Sequence, residues 1–110
     1  MYGVIRLWCI GNGYTEMQDA SAFGVDALFG KGGRTIGFIY TLDKPKEKLR
    51  LCVEEAVGKA DELYIVTTSK KQVKSLQEWL PLSCGIYYAA DAFGFGNVAQ
   101  VVRKATPISA

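Results

Sequence analysis

The sequence predicts a single α/β domain over residues 1–110, a mixed β-sheet flanked by helices. Three observations predict it. Two apolar runs, "AFGVDALFG" and "RTIGFIYTL", bracket "KGG" at 31–33, whose glycines supply the positive φ of a hairpin turn. "PKEKLRLCVEEAVGKA" repeats apolar residues at three and four positions, and the nearly continuous apolar run "ELYIVTT" follows it. A second helix–strand pair, "KKQVKSLQEWL" then "CGIYYAA", repeats that order. A hairpin implies antiparallel pairing and helix-joined strands imply parallel pairing, so the sheet is mixed.

Each element has its own local reason. Residues 2–10 place Val4, Ile5, Leu7 and Trp8 near helical spacing, and "GNG" at 11–13 stops the run. "YTEMQDAS" suits a short irregular strand and a loop, and "AFGVDALFG" then alternates as a strand with Asp26 inside it. The returning strand is rich in β-branched and aromatic residues that fit a pleated surface. Pro45 stands where the first turn of a helix tolerates it, and Leu49, Cys52, Val53, Ala56, Val57 and Ala60 line one face after it. Ser69 caps the next helix, which turns Val73, Leu76 and Leu80 inward and ends at Pro81. "GFGN" makes a turn, and "VAQVVRKA" is a last strand or a short helix.

Composition narrows the chemistry. The formal charge is only +2, compatible with nucleic-acid contact without announcing it. The absence of histidine removes the commonest general base and zinc ligand. Cys9, Cys52 and Cys84 are widely spaced and read as reduced, buried thiols, which suits a cytoplasmic setting. The apolar start is too short for a membrane span and lacks a signal-peptide cleavage pattern, so no membrane association is expected.

Three glycine clusters, "GNG", "GKGG" and "GFGN", invite a phosphate-loop reading, but none lies between a strand and a helix N-terminus. They read as turns. Thr67, Thr68 and Ser69 follow a buried-strand pattern, and without histidine a serine nucleophile would need Lys70 or Lys71 as its base. Capping explains Ser69 better. The acids are more informative: Glu16, Asp26 and Asp43, with Lys44 beside the last, are the types that metal-dependent phosphodiester cleavage needs. The competing reading puts Asp26 at a strand end, hydrogen-bonded to a turn.

With these residues in view, the chain resembles the PD-(D/E)XK nuclease superfamily, in particular small DNA-repair members and Holliday-junction-resolvase-type proteins. The likeness lies in "GVD" before the hairpin, "KADELYIVTT" after the long helix and "LPLSCGIYYA" after the next. It implies a restriction-endonuclease-like α-β-β-β-α-β core with Asp26 as the first metal-binding acid and Glu16 as a looser second. The superfamily's Glu-x-Lys then falls on Ile39 and Thr41, or one residue earlier on Phe38 and Tyr40; neither register holds an acid or a lysine. Asp43 and Lys44 are possible migrated replacements, but Asp43 lies four residues beyond Ile39, about 13 Å along a strand. The resemblance therefore implies a degenerate site: no cofactor, or Mg²⁺ if the chain is active. It implies DNA or RNA as a partner through Lys31, Arg34, Lys44, Lys70 and Lys71, or else a protein partner or a second copy in a homodimer. An active nuclease with an unusual acid set and a purely structural interaction domain remain the alternatives.

Overall fold

The computed structural model describes residues 2–41, 44–91, 97–103 and 105. Its elements run α1 (Tyr2–Gly11), β1 (Thr15–Met17), a 3-10 turn (Ala20–Phe23), β2 (Ala27–Lys31) and β3 (Arg34–Tyr40). Then come α2 (Lys46–Ala56), β4 (Glu62–Thr67), α3 (Lys70–Trp79), β5 (Gly85–Asp91) and β6 (Asn97–Arg103). The six described strands lie side by side in chain order. β1, β2 and β3 are mutually antiparallel, β3, β4 and β5 are parallel, and β6 returns antiparallel to β5. The domain is thus a small α/β unit with a mixed sheet. Among the described residues, no helix is long and apolar enough to cross a membrane.

Strand alternation sends side chains to two different layers. Leu28, Ile39, Leu63, Ile65 and Ile86 meet Leu49, Val53 and Ala56 of α2 and Leu76 of α3 in an aliphatic layer. Phe29, Ile36, Phe38, Tyr64, Val66 and Tyr87 meet Ile5 and Cys9 of α1 in an aromatic one. Trp8 joins this second layer, its ring centroid 5.5–6.3 Å from those of Tyr14, Phe38, Tyr64 and Tyr87. Each such pair contributes roughly 0.5–1.5 kcal/mol beyond area burial. One glycine makes this layer possible. A Cβ on Gly85 would stand 2.4 Å from Tyr64 Cε1 and 2.7 Å from the Ala105 nitrogen.

Several sequence expectations are corrected in detail. Asp26 does not lie inside a strand. Residues 20–23 form a 3-10 turn closed by Gly24 in the left-handed region (φ 72°), and β2 starts only at Ala27. The helix expected to reach Ala60 ends at Ala56, because Gly58 adopts φ 92° and Val57 pairs with Ala60 in an isolated parallel bridge. The last segment, left open between strand and helix, is the strand β6. Most of the "GFGN" turn, at 94–96, lies outside the described residues.

Candidate functional site

Two ends of the sheet hold the candidate residues. β3 and β4 run parallel, so their C-terminal ends lie together, and α2 and α3 each start from that edge. β2 is antiparallel to β3, which brings Asp26 to the same edge. Here the Asp26 N–H donates to the Phe38 carbonyl at 2.9 Å. The Asp26 Oδ2 accepts from the Tyr40 N–H at 2.8 Å and from Lys44 Nζ at 2.7 Å. Lys44 Nζ also donates to the Tyr40 carbonyl at 2.7 Å. The cause is local. β2 has ended where Tyr40 still presents its amide on that side, and the carboxylate takes the place of a strand acceptor. The side chain of Lys44 is only 17% exposed, so its charge is largely enclosed in this latch.

The other sequence candidates do not gather there. Glu16 pairs across from Phe29 on β1, which turns it to the α1 side of the sheet, where it meets Arg6 at 3.7 Å. Ile39 and Thr41, the positions where the resemblance wants Glu-x-Lys, are uncharged and buried. Asp43 lies outside the described residues. A divalent cation such as Mg²⁺ needs several oxygen ligands, usually with more than one carboxylate. Glu16 lies toward Arg6 on the α1 side while Asp26 lies beyond the end of β2, and Oδ2 of Asp26 is already held by an amide and an ammonium, so these residues do not fit Mg²⁺. Among the described residues, no three His, Cys, Asp or Glu side chains form a group able to hold a metal ion.

The remaining residues of this edge complete helix ends. The Gln72 N–H donates to Ser69 Oγ at 3.3 Å, which is the expected N-cap of α3. Thr67 Oγ1 accepts from the Ser69 N–H at 3.1 Å and donates to Gln72 Oε1. The hydroxyls are therefore occupied by structure, and Lys70 and Lys71 stand exposed in the first turn.

Lys31 and Arg34 lie at the opposite end of β3, six residue steps from Tyr40 or about 20 Å. The five basic residues expected to form one surface thus split between two ends. Lys31 and Arg34 are directly opposite each other in the hairpin, and strand parity turns both toward the α1 side. Lys31 Nζ donates to the Asn12 carbonyl at 3.0 Å, at the C-terminus of α1, and lies 5.6 Å from the centre of the Tyr14 ring. A cation at that helix end also suits the helix dipole. Beside them a cleft of about 370 Å³ opens between α1 and the sheet, walled by Trp8, Tyr14, Tyr64, Ile36, Lys31 and Glu62. Adjoining clefts of about 410 and 330 Å³ share Lys31 and Arg34 and reach the glycines of the turn.

Burial gives this side of the molecule its electrostatic character. It raises the Tyr14, Tyr64 and Tyr87 hydroxyls above the ordinary phenol value, with the Glu62 carboxylate adding to the rise at Tyr14 and Tyr64. Burial also pushes the Cys9 thiol up to about 12. These groups stay protonated and neutral at physiological pH. Sequence reasoning missed this cleft because its walls come from α1, the loop after it and the strands β2, β3 and β4. The one available signal was parity: Phe38 and Tyr64 are register partners, and Tyr87 follows two residues further along on the same face of the next strand.

A neighbouring contact ties the strands at this end. Asp61 Oδ2 accepts from the Thr35 N–H at 2.8 Å, and the Asp61 N–H donates to Thr35 Oγ1 at 3.1 Å. This reciprocal pair fixes the start of β4 against β3 and so sets where Glu62 enters the cleft. Comparison with protein-family models, with curated proteins and with solved structures finds no match to this chain.

Proposed function

We propose that the chain is a nucleic-acid-binding domain with a restriction-endonuclease-like core that does not cut. The observation that carries this reading is the latch at Asp26. The one acid retained at the expected position is held by the Tyr40 amide and Lys44, and no charged residue occupies positions 39 or 41. The order α1-β1-β2-β3-α2-β4, with its strands adjacent in sequence, supports the core assignment. Binding is supported by exposed cations at both ends. Arg34, Lys70 and Lys71 form no ion pair among the described residues. Labelled DNA and RNA, single- and double-stranded, incubated with Mg²⁺ or Mn²⁺ and titrated across salt concentrations, test the reading. Affinity should fall steeply with salt and no strand should be cut. Metal-dependent cleavage that disappears in Asp26→Asn would restore an active nuclease, whereas no salt-sensitive binding would leave a structural interaction domain.

A second reading, docking of a protein partner or a second copy, rests on α1. Leu7 is 71% exposed and Ile10 48% exposed on a helix with a single charged residue, Arg6. Sedimentation of the chain alone tests it: a homodimer should dissociate when Leu7→Glu is introduced.

A further inference from the structure

We infer that the hairpin end is a single-stranded nucleic-acid site, in which one base enters the cleft walled by Trp8, Tyr14 and Tyr64 and its phosphates meet Lys31 and Arg34. The inference rests on the reading above that the chain binds nucleic acid, and adds which form it takes and where.

The cationic pair is suited to an anion. Lys31 and Arg34 are cross-strand partners on one face. Like charges directly opposite each other destabilise a hairpin, and a bridging anion would offset that repulsion. One member of the pair, Lys31, is held in place, while Arg34 stands exposed. Lys31 is anchored by the Asn12 carbonyl and by the Tyr14 ring, and it packs over Gly13, where an added Cβ would stand 3.4 Å from both Cε and Nζ. An ammonium has three donors and the Asn12 carbonyl takes one, so donors remain for phosphate oxygens. Around the turn, Gly32 and Gly33 at φ 59° and 81° leave open space where side chains would stand, so a backbone can approach closely.

The aromatic cleft is suited to a single base. Its 370 Å³ lies at the small end of ligand sites, enough for one planar ring system and too little for a stacked duplex. Bases inside a duplex keep their faces covered, whereas single strands present them to aromatic side chains. Trp8 and Tyr14 already lie nearly parallel, 16° apart, and Trp8 meets Tyr64 edge-on, so the wall is preformed.

Glu62 decides the orientation. Glu62 lines this cleft and, with Lys31 and Arg34, the adjoining one, and its carboxylate repels phosphate, so the backbone is left to the outer, turn-facing side of Lys31 and Arg34. The same carboxylate accepts from an exocyclic amine, which adenine and cytosine carry and thymine lacks. The site should therefore prefer adenine or cytosine over thymine.

The test uses the full chain carrying Trp79→Phe, so that Trp8 is the only indole. It is titrated with oligonucleotides of about eight residues of deoxyadenosine, deoxycytidine or thymidine, and with a duplex of matching length. The expected result is quenching of Trp8 by the adenine and cytosine strands, with the duplex weaker. Tyr14→Leu should weaken binding at least about fivefold, the lower end for loss of one stacked base. Arg34 is exposed and forms no ion pair among the described residues, so Arg34→Ala should lower the slope of log affinity against log salt by about 0.7. Glu62→Gln should reduce the preference against thymine. Salt-sensitive binding that survives Tyr14→Leu and Arg34→Ala but is lost in the Lys70→Ala, Lys71→Ala double variant overturns this inference and leaves the broader reading standing. Tighter binding of the duplex does the same. No salt-sensitive binding to any strand overturns both.

Discussion

At the C-terminal end of β3, Lys44 closes onto the Asp26 carboxylate and the Tyr40 carbonyl, and its charge is answered within the fold. At the hairpin end of the same strand, Lys31 rests on a carbonyl and an aromatic ring and faces Arg34 across the turn, and among the described residues no carboxylate forms an ion pair with either. The residue types at the two ends are alike. What differs is whether the partner of each charge belongs to the protein. An acid next to a lysine at a strand end resembles a catalytic pair, yet this one completes a ladder that β2 leaves unfinished. Two cations at a turn resemble an ordinary solvated surface, yet one of them, Lys31, is held in place beside a cleft.

The strongest way to break this comparison acts on the floor of the cleft without touching its rim. Gly85→Ala would drive a methyl group into the Tyr64 ring and the Ala105 backbone. Overpacking against backbone has little room to relax, so a loss of about 3 kcal/mol is expected. Urea denaturation should show it as a lower midpoint, and at urea concentrations where the variant is still folded, oligonucleotide binding should weaken because Tyr64 is displaced. If the midpoint is unchanged, the aromatic layer yields more easily than its geometry implies.

Asp26→Ala probes the other end. It strips the Tyr40 N–H of its acceptor and leaves Lys44, 17% exposed, without a counter-charge, a cost of about 1–2 kcal/mol. Asp26→Asn should recover part of that through the amide bond alone. Oligonucleotide affinity should stay within twofold of the parent, since the latch is internal. A large change in affinity would mean that this end binds as well.

Much of the architecture was legible in the sequence because it depends on short-range physics. The "KGG" turn, the helix begun after Pro45 and the Ser69 cap each follow from a few neighbouring residues, and all three are present. Asp26 was misplaced because "AFGVD" has the apolar alternation of a strand, while Gly24 in the left-handed region and the 3-10 turn before it end that pattern. The division of the basic residues was not legible either: Lys31 and Lys44 are 13 positions apart in sequence but stand at opposite ends of one strand. The cleft was out of reach for a similar reason, since Tyr14 and Tyr64 meet only through the sheet.

Alkali should probe the aromatic layer of the fold. Cys9 is fully buried on the inner face of α1, and burial raises its thiol from 9.0 to about 12. The neutral form is the one the fold favours, so this contribution is complete below pH 9 and is lost as pH rises from 9 toward 12. Each such group steepens the fall in stability by about 1.4 kcal/mol per pH unit. Urea midpoints measured from pH 8.5 to 11 should fall less steeply in Cys9→Ala than in the parent, even though the variant starts less stable. Parallel curves would show that the thiol does not ionise with unfolding in that range.

The smallest effect has the opposite sign. Lys70 and Lys71 occupy the first turn of α3, which contains no acidic residue, so both oppose the positive end of the helix dipole. Replacing both with alanine should therefore raise stability by about 0.5 kcal/mol, visible as a small increase in melting temperature. The informative measurement pairs this with binding. A more stable variant that binds oligonucleotides as the parent does would place those charges outside the site and leave the hairpin end as the nucleic-acid surface. A more stable variant that binds poorly would mean that two unfavourable charges are held at α3 for a ligand, and the contrast between the two ends would fail.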